Sequence, residues 1–102
     1  MKELVIPYGV HSDGNPEEFI RFWICDGSDH VSLKIGGFSD NSNESELWGA
    51  ILADIAWHAI NGMQQDDPSR GSKEEMLAQI EYGFGQRLKD KRNLSGQLGG
   101  GH

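Results

Sequence analysis

The sequence predicts a two-layer α+β domain, in which a small antiparallel sheet is covered by two helices, and three observations predict it. Residues 19–25, FIRFWIC, and 30–35, HVSLKI, are rich in β-branched and aromatic side chains and flank the turn signal DGSD. The stretch WGAILADIAWHAING, residues 48–62, is apolar at helical spacing. Farther on, Met76, Leu77, Ile80, Phe84 and Leu88 repeat at helical spacing behind a helix-start signature.

Taken in order, LVIPY at residues 4–8 is a short apolar stretch interrupted by Pro7, which restricts it to an edge strand or an extended arm. It is an optional extra strand over 3–8. HSDGNPEE reads as a loop. The hairpin then spans 18–25 and 30–36, and its faces follow from parity, because side chains alternate along a strand. A two-residue and a four-residue loop both put Ile20, Phe22 and Ile24 on one face with Val31, Leu33 and Ile35, and that face is the expected core. The other face carries Phe19, Arg21, Trp23 and Cys25 beside His30, Ser32 and Lys34.

GGFSDNSNESE is a flexible connection that contains a helix start: Asn43 suits an N-cap, with Glu46 three residues on as its reciprocal partner. The first helix is expected over about 44–63 and is broken by QQDDPSRG. Ser72 and Glu75 form a second capping-box signature that opens a helix over about 73–89. Residues 1–92 form a single compact domain on this reading, and 93–102 a Gly-rich disordered tail.

Composition narrows the function classes. A chain of 102 residues has room for one modest core. The single Cys25 excludes an internal disulfide and any multi-cysteine metal site. The opening MKELVIPYG lacks a signal-peptide apolar region and no run is long enough to span a membrane, so a soluble cytoplasmic protein is expected. A net charge of −7 disfavours nucleic acid as a partner. The one basic cluster, Arg87, Lys89, Lys91 and Arg92, sits at an expected helix end, where it complements the helix dipole.

Turning 100° per residue from Trp48 puts Ile51, Leu52, Ile55, Ala59 and Met63 on one stripe, expected to face the sheet. Trp57 falls on the opposite side with Ala50, Ala53 and, at the margin, Ile60. Asp54, His58 and Asn61 make a narrow polar strip. A helix apolar nearly all round is buried on two sides. The second helix has a single apolar stripe, so a homodimer is the simplest cover for Trp57, and a ligand or peptide groove is the alternative.

Asp54 and His58, at i and i+4, are within hydrogen-bonding reach. They are too few for a metal site, and no Ser or Cys nucleophile stands with them to make a catalytic set. The expected role is a structural Asp–His pair edging the helix, with no metal, cofactor or catalytic residue assigned. Arg21, Trp23, His30 and Lys34 form a second candidate surface, suited to an anionic or aromatic ligand or to a protein partner. The functional expectation is a small non-catalytic binding or assembly protein acting as a homodimer. The alternative is a small-molecule-binding domain, or a minor enzyme using Asp54 and His58.

The pieces FxRFWICDGxxHVSL, ELWGAILADIAWHAING and the capped helix ending near FGQRL together resemble a family of short bacterial proteins known as domain-of-unknown-function family 5076. The positions that carry the resemblance are Asp26, Gly27, His30 to Leu33, Trp48, Gly49, Leu52, Ala53, Asp54 and His58, over about residues 16–90. The resemblance implies a compact α+β domain and assigns no activity.

Overall fold

A computed structural model describes residues 1–38 and 43–90, and the backbone of 97–99. It divides into two compact units, Met1–Gly37 with Leu94–His102, and Phe38–Asn93. The fold is a small α+β one. No helix among the described residues is long and apolar enough to cross a membrane.

The first unit is built on a β-hairpin of β1 (Ile20–Cys25) and β2 (Ser28–Lys34). Asp26 and Gly27 form its loop, with φ of 52° and 78°, the pair of positive values that a type I′ turn requires and that Asp-Gly supplies at least cost. This tight turn is why β2 begins at Ser28, earlier than expected. The register pairs Ile20 with Leu33, Arg21 with Ser32, Phe22 with Val31 and Trp23 with His30, so the expected parity holds. The expected burial of that face does not. Phe22 is 56% exposed and Ile24 65%, and no side chain of the hairpin is fully buried.

The extra strand expected over 3–8 is a correction. Residues 3–7 belong to no regular element, and a 3-10 turn, Tyr8–Ser12, begins directly after Pro7. Pro7 has no N–H for a ladder and pre-sets the φ of a turn. The third strand is instead β3 (Gln97–Gly99), which pairs in parallel with β2, Ser32 opposite Gln97. Apart from that backbone, the tail expected over 93–102 lies outside the described residues, as do 39–42 of the connecting loop and the basic residues Lys91 and Arg92.

The second unit is a helical hairpin of α1 (Glu44–Asp66) and α2 (Lys73–Lys89). Asn43 caps α1 by accepting from the Ser45 N–H at 3.0 Å. Ser72 and Glu75 form the full capping box, the hydroxyl accepting from the Glu75 N–H and the carboxylate from the Ser72 N–H. α1 runs three residues past the expected end, because the break falls late in QQDDPSRG: Pro68 holds Asp67 extended and opens a short 3-10 turn. Ile60 and Met76 are the buried hydrophobic side chains of the described residues, one from each helix. Ile60, placed at the margin of the Trp57 side, is therefore the most buried side chain of α1.

Candidate functional site

Arg21, Trp23, His30 and Lys34 share one face of the hairpin through the alternation of β1 and β2. The ladder continues past the strand ends by a 2.9 Å bond from the Lys34 N–H to the Phe19 carbonyl, which brings Phe19 onto the same face. Lys34 Nζ stands 5.5 Å from the centre of the Phe19 ring, a cation–π contact. Gly37 approaches so closely that a Cβ there would lie 3.1 Å from both Phe19 and the Lys34 stem. An open cleft of about 350 Å³ is lined by Phe19, Arg21, Ser32 and Lys34, with Glu18, Ile20 and Leu33.

The basic groups of this cleft are already paired. Arg21 donates through Nη1 to Glu3 at 3.0 Å and through Nη2 to Glu18 at 3.1 Å, while Lys34 is paired with Glu17. The hydrogen bond and charge of Glu18, followed by Glu3, hold the Arg21 guanidinium above its ordinary value. An incoming anion would meet three carboxylates beside two cations. The three glutamates were not among the sequence candidates. Glu18 carries a local signal, standing three residues before Arg21, whereas Glu3 is eighteen residues away and shows no such signal.

The second group of candidates lies on α1. Trp57 is 45% exposed, and Asp54 and His58 are both exposed. The hydrogen bond expected between Asp54 and His58 is not made among the described residues, since two solvated side chains gain little by holding one geometry. No group of three metal-ligating side chains occurs among the described residues. Leu52 and Ile55, from the stripe expected to face the sheet, are also exposed.

A type I′ hairpin followed by a capped helical hairpin defines a small α+β protein. A family described as a domain of unknown function, DUF5076, matches residues 3–92, and the chain belongs to that family. The chain is similar to a solved structure from the photosynthetic bacterium Rhodopseudomonas palustrus CGA009, described as "a putative pyruvate dehydrogenase". The two are 27% identical with a TM-score of 0.64, over 91% of this chain and 88% of that one. No curated protein matches.

Proposed function

We propose that the chain is a small, non-catalytic assembly protein of the cytoplasm that acts as a homodimer, with Trp57 or the Trp23 face of the hairpin in the interface. The observation that carries this reading is the imbalance of burial. Ile60 and Met76 are buried, while Phe22, Ile24, Leu52, Ile55, Trp57, Phe84 and Leu88 stand exposed. A domain of this size is marginal even with a full core, and exposed apolar surface on this scale marks an association surface. Symmetric pairing is the commonest way to cover it.

A second reading, catalysis, has the name of the 27%-identical neighbour in its favour. Oxidative decarboxylation of a 2-oxo acid requires an enclosed, cofactor-lined site. The open cleft at Arg21 and the solvated Asp54–His58 strip offer little towards one.

Sedimentation at micromolar concentration tests the assembly reading. The unmodified chain is expected to run as a dimer, and Trp57→Glu as a species shifted towards monomer with its helical circular dichroism retained. A monomeric unmodified chain overturns the reading. Turnover of pyruvate by the purified chain would transfer the argument to catalysis.

A further inference from the structure

The free edge of β1 and the N-terminal residues beside it carry matching patterns. β1 lies at one edge of the sheet. The bond from the Lys34 N–H to the Phe19 carbonyl marks a hydrogen-bonded pair. Alternation along the antiparallel ladder then turns the backbone groups of Arg21 and Trp23 towards β2, and those of Ile20, Phe22 and Ile24 outward. Such a row of unpaired N–H and C=O groups is a template for another strand. Residues 3–6, Glu-Leu-Val-Ile, belong to no element, and Leu4, Val5 and Ile6 are 95%, 90% and 60% exposed. Glu3 is nevertheless fixed to β1 by its ion pair with Arg21.

We propose that residues 3–6 add to the free edge of β1 as a parallel strand donated by a second copy of the chain, in the register that sets Glu3 beside Arg21. The inference rests on the homodimer reading and names one of its contacts. In this register Leu4 lies beside Phe22 and Ile6 beside Ile24 on one face, and Val5 beside Trp23 on the other. Each exposed apolar side chain of the arm meets an apolar side chain of the edge, and the charged pair matches in sign. The antiparallel alternative on the same anchor sets Ile6 beside Glu18 and leaves Phe22 and Ile24 bare.

The backbone agrees with the parallel register. The N–H groups of Glu3 and Val5 donate to the carbonyls of Ile20 and Phe22, and their carbonyls accept from the N–H groups of Phe22 and Ile24. The next inward-facing position is Pro7, which has no N–H, so the added strand ends where the 3-10 turn begins. Within one chain the Glu3–Arg21 anchor is already made, yet the residues after it remain unpaired. Reciprocal exchange gives each edge an arm and each arm an edge, and the assembly closes on itself. Strand addition of this kind draws affinity from the main chain and register from alternate side chains.

Pro7 falls beside Cys25 in this register, and Cys25 is an exposed free thiol. Neighbouring strands place such a pair within disulfide range, about 4.4–6.8 Å between Cα atoms. The test mixes the full-length double variant Pro7→Cys, Cys25→Ser with the unmodified chain under mild oxidation. The expected result is a mixed disulfide of dimer mass, in excess of what either chain forms alone. If Pro7→Cys alone closes a disulfide within one chain, the arm lies on its own edge and the exchange is overturned. Hydrogen exchange on the unmodified chain gives a second readout: the Val5, Phe22 and Ile24 amides are expected to be slowed at dimer concentrations and released on dilution. Fast exchange at every concentration overturns the exchange even where the variant misfolds. A sedimenting dimer without the mixed disulfide removes the arm and leaves the assembly reading standing, whereas a monomer removes both.

Discussion

The helical hairpin and the β-hairpin are held by different forces. The helical unit buries Ile60 and Met76 and closes both helix starts with side-chain caps. The β-hairpin has a tight Asp26-Gly27 turn, a regular ladder and three surface ion pairs, but no fully buried side chain. A hairpin is marginal in water by itself, and exposed ion pairs add little to it. The helical unit carries its own apolar contact, whereas the hairpin depends on whatever covers Phe22 and Ile24.

The largest expected effect tests that contrast directly. Ile60→Ala removes a fully buried side chain and is expected to cost about 2–5 kcal/mol, read as a lower denaturant midpoint by helical circular dichroism. Phe22→Ala, at a side chain 56% exposed, is expected to cost much less in dilute, monomeric solution. At dimer concentrations its cost should rise towards that of Ile60→Ala, because a covered phenyl ring is lost. Equal costs at every concentration would break the comparison, since the sheet face would then be covered within one chain.

A smaller effect isolates the local part of the helical unit. Ser72→Ala opens the capping box and is expected to cost about 1 kcal/mol, with the Met76 contact left in place. The same box carries a pH dependence. Hydrogen bonds from Ser72, its N–H first and its hydroxyl second, hold the Glu75 carboxyl below its usual range, and the Ser69 hydroxyl and N–H do the same for Asp67. A carboxyl with a depressed folded value contributes stability above its unfolded value, and that contribution is lost as pH falls through the folded one. The helical unit is therefore expected to weaken as pH falls below the ordinary carboxylate range. Ser72→Ala should show a shallower loss, because its Glu75 titrates nearer the unfolded value. Parallel pH profiles would detach the cap from the titration.

The same division between local and distant decided what could be read from the sequence. The Asp26-Gly27 turn and the Ser72–Glu75 box were legible because each is set by residues within one turn of chain. The hairpin faces were legible by parity alone. The apolar pattern of 3–8 has the composition of a strand, but composition does not name the edge it pairs with, and within the chain it pairs with none. The α1 boundary was placed early because the whole of QQDDPSRG was read as the break, when Pro68 and the extended Asp67 before it are the physical end. At the candidate sites, sequence spacing put Arg21, Trp23, His30 and Lys34 on one face. It did not show that Glu3, Glu17 and Glu18 would already occupy the two cations. The Asp54–His58 spacing permitted a hydrogen bond that exposure makes unrewarding.

The smallest expected effect concerns Arg21, and it sharpens the comparison by separating global stability from local order. Its two carboxylate partners are both exposed, so Arg21→Gln removes interactions that water and salt already screen. The unfolding midpoint of the chain is expected to move least of the four substitutions, and the difference from the unmodified chain should vanish in about 1 M salt, where the screening length falls to about 3 Å. The local consequence is different in kind. Arg21 is the group that fixes Glu3 to β1, and with the anchor gone residues 3–6 lose the charge match that sets their register. Faster amide exchange at Val5 with an unchanged midpoint is therefore the expected signature. A fall in midpoint comparable to Ser72→Ala would mean that the ion pairs, and not the cover over Phe22 and Ile24, hold the hairpin together.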